Sequence, residues 1–591
     1  MNMFNPHKAF SKAFPKTLQE IAALLSQKLE EGHICIDLSV ENNLNTETIS
    51  NPQLLKLNKS SVIESPQPFV LHRNRVYFHR YFQYENLILD KIAALSKYGE
   101  NCHADRKRKL KEMSDTLKSI FDLNSSGNNL QFVAAVTAYL NDFAIITGGP
   151  GTGKTTTVAN LVALLYMENP EMKVAVAAPT GKASARLNDV FKAFKKESLE
   201  IDILQKINSL EAKTIHRLLG GYHRFKHNAD NPLDLDLLIV DECSMIDAAL
   251  MAKLLSAVPD HARLILLGDR NQLSSVEAGS IFADLCVAGL HKGNVFSENF
   301  QQFLNDLSSP FRLELNISTD SNPLPDCITE LNTSHRFKEG EGISRFSRLT
   351  ISGKSDDFDY SDYIKPVESG QTVKITDTSS LKIEENSEFK MLLKEIENYL
   401  KEADISKSFE KLNTFKILCA TREGKFGMHS INRLIEQSLG IKSEKKEYYH
   451  KQPILITKND SLLGIFNGDI GIVINKNEGM KSEDGKKSAE KLSAYFNIKG
   501  ELKEIPLMYI TDYETAFAMT IHKSQGSEYD KVFVFLPSNP DHPLLSRELL
   551  YTAVTRSKSQ CFVYGTEDVI RSCISKQIKR VSGISERLGN D

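Results

Sequence analysis

The chain contains no tryptophan, so any stacking against a base must come from Phe, Tyr or His. Cysteine is sparse and scattered: Cys35, Cys102, Cys243, Cys286, Cys327, Cys419, Cys561 and Cys573 include no C-x-x-C pair. That spacing argues against a zinc or iron–sulfur site and offers no disulfide framework. Reduced thiols in a cytosolic protein are the reading, and a cytoplasmic location is expected. No apolar run approaches the roughly 20 residues that cross a membrane, so no membrane partner is implied. Met1 to Lys16 has basic residues but lacks the apolar core and small-residue cleavage site of a signal peptide. An excess of one charge is also missing, since 73 Lys and Arg nearly balance 76 Asp and Glu for a net −3. Any nucleic-acid contact must then come from a local groove rather than the whole surface. The remaining composition, 41% hydrophobic and 25% charged over 591 residues, is that of ordinary globular protein. The length leaves room for roughly three or four domains.

Glycine is placed rather than plentiful. Gly148-Gly149-Pro150-Gly151-Thr152-Gly153-Lys154-Thr155 fits the phosphate-cradling pattern G-x-x-x-x-G-K-[ST]. Phe143 to Thr147 before it is apolar and partly β-branched, as a buried parallel strand is. Thr156 to Tyr166 after it reads as a helix with apolar residues on most faces. Glycines let the backbone wrap an anion closely with its amides inward, and the helix N-terminus adds partial positive charge. Lys154 would reach the β- and γ-phosphates of ATP, and the Thr155 hydroxyl would hold Mg²⁺.

Residues 1–100 read as a small α+β module, with a helix over 17–29, short strands at 68–71 and 75–78, and a helix over 81–95. Asp105 to Lys111 holds five basic residues, and Asn124 to Asn129 is polar with Ser and Gly. Residues 101–129 therefore read as a linker, its basic cluster more readily a solvated helix face than a DNA contact. Over 130–335 strands and helices alternate, with strands expected at 143–147, 173–178, 237–240 and 263–267, and 300–335 irregular. That alternation implies a parallel sheet covered by helices, with ligands outside the C-terminal strand ends. A second α/β region spans 336–591, with strands at 415–419, 531–535 and 561–564. Within it, 445–512 changes character: β segments at 453–457, 470–474, 494–498 and 505–510 follow one another without helices, the pattern of an inserted antiparallel barrel. Asn475 to Lys491, rich in charge, reads as a hairpin tip.

Leu237-Leu238-Ile239-Val240-Asp241-Glu242 is an apolar strand ending in two carboxylates. Beside a phosphate loop, Asp241 would join the Mg²⁺ shell and Glu242 would polarise the attacking water. Leu266-Leu267-Gly268-Asp269-Arg270-Asn271-Gln272 ends the next strand. Gln272 there could touch the γ-phosphate or the water, and a plain Gly-Asp turn is an equal alternative. Arg336 lies in Ser334-His335-Arg336-Phe337, and Arg556 closes Tyr551-Thr552-Ala553-Val554-Thr555-Arg556. Phosphoryl transfer needs positive charge at the γ-phosphate, which an arginine finger supplies. By composition alone each arginine is more readily a surface ion pair.

The ordered set GGPGTGKTT, APTGKA, TIHRLLG, IVDECSM, LLGDRNQL, SHRF, AMTIHKSQGSEYD and YTAVTRSK resembles the superfamily 1 DNA helicases of the 5′→3′ class. CATREGKFGMHSIN and GIFNGDIG make the chain most similar, within that class, to the RecD family, the alpha chains of exodeoxyribonuclease V. The resemblance covers residues 130–565, with a fainter echo in PFVLHRNRVYFHR. It implies an α/β fold of two RecA-like P-loop motor domains, an SH3-like β-barrel inserted in the second, and an N-terminal module that docks a RecC-like subunit. It also implies an ATP-dependent 5′→3′ translocase and helicase, the motor subunit of an exonuclease V in double-strand-break repair and recombination. The partners implied are single-stranded DNA, duplex ends, and RecB-like and RecC-like chains.

The resemblance assigns residues as well. Gln131 would recognise adenine. Gly148, Gly149, Pro150, Gly151, Thr152, Gly153, Lys154, Thr155 and Thr156 would hold the phosphates, with Thr155 and Asp241 on Mg²⁺. Glu242 would serve the water, and Gln272 would couple hydrolysis to motion. Arg336 and Arg556 would close on the γ-phosphate, and Gly526 and Glu528 would face the nucleotide. Single-strand contacts would come from Pro179, Thr180 and Lys182, from Thr214 and His216, and from Thr520, His522 and Lys523. Helix capping or ordinary turn polarity is the bland reading of these last residues. No clustered acidic site stands apart from Asp241 and Glu242, so the nuclease would belong to the RecB-like partner. One alternative is a stand-alone 5′→3′ helicase, a branch with a longer N-terminal extension than the segment before residue 130 here. Another is a non-motor binding protein with a relic nucleotide site, which the presence of Asp241, Glu242, Arg336 and Arg556 disfavours.

Overall fold

The structure, a computed structural model, describes residues 5–41, 54–57, 67–123, 129–221, 224–290, 293–317, 324, 326–337, 340, 342–365, 372–441, 448–460, 462–476, 492–498 and 500–588. It forms two units: Met1–Thr333 with Lys579–Asp591, and Ser334–Ile578.

The first unit opens with a four-stranded sheet in the order β1 (Cys35–Asp37), β4 (Arg75–Phe78), β3 (Phe69–His72), β2 (Leu54–Leu57). β4 pairs antiparallel with both neighbours, and β2 joins β3 parallel. Helix Gln19–Glu30 buries Ile21, Ala22 and Leu25 on its apolar stripe, in one core with Phe69 and Val76. A single helix, His79–Glu112, then runs through the expected boundary at 100, and a second follows at Ser114–Ile120. Most of the expected linker is therefore helical; 124–128 lie outside the described residues. Burial is the reason. Leu110, Leu117 and Ile120 join the core of the next sheet. Buried Arg106 donates to the Leu140 carbonyl at 2.7 Å and pairs with Asp142. Only residues such as Arg108, paired with Asp105 and Glu112 in solvent, fit the solvated-face reading.

The central sheet of this unit has the order β12 (Ile328–Leu331), β5 (Phe143–Gly148), β9 (Arg263–Gly268), β8 (Leu237–Val240), β6 (Val174–Ala178), β7 (Ala212–Thr214), every pair parallel. A separate parallel pair joins β10 (Val295–Phe296) to β11 (Asn316–Ile317). Successive residues of one strand belong to opposite cores, as the two-residue period requires. Phe143, Ile145, Leu238, Val240, Leu264 and Leu266 face one cluster; Ala144, Ile146, Leu237, Ile239, Ile265 and Leu267 face the other. With each such side chain worth about 1.5–3 kcal/mol when buried, both faces must be covered by helices. β7 and β12 escape the sequence reading: one is three residues long, and the other lies in the stretch that reads as irregular.

The chain end also departs from the expected division, which carried the second domain to 591. Residues 579–588 pack in the first unit, where Ile34 N donates to Val581 O (3.1 Å) and Gly583 N to Glu85 Oε1 (2.7 Å). The partners are about 500 residues apart in sequence, so no local pattern announces them.

The second unit is built on a parallel sheet in the order β13 (Thr372–Thr376), β22 (Ser557–Tyr564), β21 (Tyr529–Phe535), β14 (Phe415–Cys419), β20 (Ala518–Thr520). Between β14 and β20 the chain forms an antiparallel sheet, β18 (Glu501–Pro506), β17 (Leu492–Ile498), β16 (Ile470–Asn475), β15 (Pro453–Ile456), β19 (Tyr513–Thr515). Its own core includes Ile454, Ile456, Val473, Phe496 and Ile505. The insertion runs to Thr515, past the expected limit of 512. Among the described residues its ladder is open, with β18 and β19 at the edges. Of the expected hairpin tip, 475–491, residues 477–491 lie outside the described residues. Among the described residues no helix is long and apolar enough to cross a membrane.

Candidate active site

Parallel pairing sets three loops side by side. β5, β9 and β8 are consecutive in the sheet, and the loops leaving their C-terminal ends carry Gly149–Gly153, Asp269–Gln272 and Asp241–Glu242. This is the edge at which open α/β sheets bind ligands.

The first loop needs glycine twice over at one position. Gly153 has φ +85, and a Cβ there would stand 2.2 Å from Gln131 Nε2. Gln131 Nε2 donates to the Thr152 carbonyl at 3.1 Å. Thr152 Oγ1 donates to Gly149 O (2.9 Å), and Lys154 Nζ donates to Gly148 O and Gly149 O (2.5 and 3.1 Å). The loop is thus shaped by its own side chains and by Gln131. Lys154, Thr155 and Thr156 open helix Lys154–Glu168, in the turn whose amides lack helical partners.

Asp241 follows β8 and accepts from Glu242 N at 2.8 Å. Burial pushes the Asp241 carboxyl above its ordinary range, the Glu242 charge pushes the same way, and Lys154 and Arg186 oppose them. Lys154 and Asp241 therefore share one electrostatic site. Arg186, on helix Gly181–Ala193, was not singled out from sequence; the available signal was its place one turn after Lys182. Glu242 adopts φ +53, ψ +40, a left-handed conformation that costs a non-glycine residue about 1–2 kcal/mol. Buried Gln272 donates from Nε2 to Asp269 Oδ2 at 3.1 Å, while its Oε1 has no hydrogen-bond partner among the described residues. Arg270 Nη2 reaches Glu330 Oε2 on β12 at 2.9 Å. The Thr155 hydroxyl and two adjacent carboxylates are hard oxygen donors of the kind that suits Mg²⁺.

In the second unit, Arg336 and Arg556 meet one loop. Arg336 Nη2 donates to Glu528 Oε1 at 2.7 Å. Arg556 is 2% exposed; its Nη1 donates to Ser527 O (3.3 Å) and its Nε to Thr552 O (3.2 Å). Gly526 turns the chain between them with φ +73. Arg336 thus forms an ion pair, with both side chains mostly buried, whereas Arg556 bonds to backbone carbonyls. Gly526, Glu528, Arg336 and Arg556 come together here; in the first unit Gln131 meets the phosphate loop and Lys154 acts on Asp241, while Thr155, Glu242 and Gln272 lie on the segments that leave the same three strands.

The residues expected on nucleic acid occupy helix starts and turns. After Pro179, Thr180 caps helix Gly181–Ala193, accepting from Ala183 N at 3.3 Å, and Lys182 lies in its first turn. Thr214 caps Ile215–Leu218, accepting from Arg217 N at 3.3 Å. Ala178 and Thr214 are register partners, so both caps leave the same sheet edge. The His216 ring packs 5.7 Å from that of Phe225, and burial holds its pKa below the usual value. Thr520 precedes the 3₁₀ turn Ile521–Ser524, which carries His522 and Lys523. Lys523 and Arg422 both pair with Glu514, and burial, then Arg422, lowers the Lys523 pKa.

Sequence comparisons bear on this arrangement. The AAA domain family matches residues 131–278, and the UvrD-like helicase C-terminal domain matches 515–564. RecBCD enzyme subunit RecD of Mycolicibacterium smegmatis is 32% identical, covering 97% of this chain and 94% of that one. The RecD subunit of Haemophilus influenzae is 33% identical over 88% of this chain and 81% of its own. The ATP-dependent RecD2 DNA helicase of Deinococcus radiodurans is 28% identical over 75% of this chain and 50% of its own.

Proposed function

This chain belongs to the RecD family of RecBCD enzyme subunits, and from that premise we propose that it is an ATP-dependent DNA helicase. It moves 5′→3′ along one strand as a motor of a RecBCD-type exonuclease V, with RecB-like and RecC-like partners, at duplex ends in double-strand-break repair. The observation that carries the reading is the meeting of the phosphate loop, Asp241–Glu242 and Gln272 at the ends of three adjacent parallel strands. A cytoplasmic location fits this role. So does an SH3-like form for the inserted sheet and a docking role for the N-terminal module. A stand-alone helicase is not favoured, because RecD subunits are 32–33% identical over 88–97% of this chain and the RecD2 helicase is 28% identical over 75% of it.

Each residue then has a task. Gln131 would meet the adenine, and Gly148 to Thr156 would wrap the phosphates of ATP. Lys154 would exchange the carbonyls of Gly148 and Gly149 for phosphate oxygens. Thr155 and Asp241 would hold Mg²⁺, which when bound neutralises charge on the β- and γ-phosphates. Glu242 would orient the attacking water and draw its proton. Arg336 and Arg556, with Gly526 and Glu528 shaping their loop, would supply positive charge as the γ-phosphoryl group leaves. Gln272, whose carbonyl oxygen has no hydrogen-bond partner among the described residues, would sense that group. Pro179, Thr180, Lys182, Thr214 and His216 from the first unit, and Thr520, His522 and Lys523 from the second, would grip single-stranded DNA through its backbone, without sequence preference.

The test is ATP hydrolysis with and without single-stranded oligonucleotide, then unwinding of 5′-tailed against 3′-tailed duplexes. DNA is expected to raise turnover, and only the 5′ tail is expected to support unwinding. Lys154→Gln is expected to abolish DNA-stimulated hydrolysis with its thermal midpoint unchanged; a full rate in that variant is incompatible with the assignment. Co-expression with RecB and RecC chains is expected to yield one co-eluting complex, and elution as a lone active monomer contradicts the subunit reading.

A further inference from the structure

The loop after Gln272 does not hold its shape alone. The Ser275 hydroxyl lies 2.9 Å from Glu277 O and 3.0 Å from Gly279 O, but it has one proton for two carbonyls. The missing donor comes from the other end of the chain. Arg580 Nη1 lies 3.0 Å from Glu277 O, 3.1 Å from Gly279 O and 3.4 Å from Ser275 Oγ. The slot for this guanidinium is built. Gly32, at φ +92, passes so close that a Cβ would stand 2.5 Å from Arg580 Nε. Gly279 N donates to Gly32 O at 2.9 Å, closing the slot. The next residues anchor Arg580: Val581 N donates to His33 Nδ1 (3.0 Å), and Ser582 Oγ donates to Asp284 Oδ2 (2.7 Å).

The knot touches both halves of the hydrolytic machinery in this unit. Ser275 stands three residues after Gln272. Ala248 N donates to Ala278 O at 3.2 Å, and Ala248 opens the helix that follows Asp241–Glu242. The chain arrives at Arg580 directly from the second unit. There Ile578 N donates to Glu548 Oε2 (3.1 Å), on the helix Arg547–Val554 that leads to Arg556.

We propose that Arg580 is a positioning residue for ATP turnover: it holds the 275–279 loop so that Gln272 stays aimed at the nucleotide site. The proposal rests on the role assigned above to Gln272. Its signature is dependence on Gln272 rather than a general loss of stability.

The experiment is steady-state ATP hydrolysis by the full chain with saturating single-stranded oligonucleotide, for Arg580→Ala, Gln272→Ala and the double variant. Arg580→Ala is expected to lower kcat about ten-fold with the KM for ATP within about two-fold, and to cost nothing further in the Gln272→Ala background. Arg580→Lys, which keeps donors in the slot, is expected to recover kcat to within about three-fold of wild type. A wild-type kcat in Arg580→Ala, or a loss that multiplies with that of Gln272→Ala, overturns the proposal. Should Arg580→Ala fail to fold, Ser275→Ala removes a donor from the same carbonyl pair, and the same dependence on Gln272 is required of it. A wild-type rate in Gln272→Ala itself overturns the assignment beneath, and the proposal with it.

Discussion

At the scale of single residues, two side chains pair an unfavourable setting with a chemical task. Glu242 keeps a left-handed backbone conformation that glycine would occupy without strain, although the position carries a carboxylate. Glu242→Gln keeps the side-chain shape and removes the base. It is expected to cut DNA-stimulated turnover about 10²–10⁴-fold while leaving nucleotide binding, followed by fluorescent-analogue titration, within about two-fold. Arg556 is a buried guanidinium whose donors satisfy Ser527 O and Thr552 O. Lysine carries a charge there but not the planar fork. Arg556→Lys is expected to lose about 10³-fold in turnover. Arg556→Ala additionally removes the guanidinium's bonds to Ser527 O and Thr552 O, the second of which keeps the Thr555 hydroxyl at 3.3 Å, and its thermal midpoint should fall by the equivalent of about 1–3 kcal/mol.

At the scale of elements, helix Ile281–Leu290 carries a carboxyl under unusual pressure. Burial pushes Asp284 up to about 7 from 3.8; Glu85 adds to this, and the hydrogen bond from Ser582 and the charge of Arg580 oppose it. The folded pKa exceeds the unfolded one, so between pH about 4 and 7 the folded state holds the extra proton and stability falls as pH rises through that window. Asp284→Asn still accepts from Ser582 and no longer titrates. Its thermal midpoint should vary less than that of wild type between pH 5 and 8 and exceed it at pH 8. Elements are also where sequence reading was most uneven. β8 is a continuous apolar run and β14 is broken only by Lys416, so both could be read directly. β7 and β20 are three residues each, too short to show a period. The helix through 101–112 was hidden because its buried positions, Arg106 and Leu110, sit among charges that read as a linker.

At the scale of the whole molecule, the chain end is structural to the first unit. Arg587 Nη1 meets Glu85 Oε2 at 3.1 Å with both side chains at 2% exposure or less, and Gly583 N supplies the other carboxylate oxygen. Removing one partner of a buried pair costs about 3–5 kcal/mol. A chain truncated after Ile578 is therefore expected to melt in calorimetry with the first unit's transition shifted down and the second unit's unchanged. Equal shifts in both, or in neither, would contradict this division of stability.

The sequence alone determined the phosphate loop, the paired carboxylates and the α/β class, because each is written in residues adjacent along the chain. A loop between a strand and a helix carries its chemistry within a few positions, and a buried parallel strand needs only its own apolar run. The tertiary structure alone decided what lies beside these segments. Sheet order brought the loop of Gln272 beside that of Asp241, Gly153 came to need space because of Gln131, and Arg580 and Arg587 found partners some 300 and 500 residues away. Such contacts depend on how covered faces and buried charges are satisfied once the chain has closed on itself, and nothing local records the outcome.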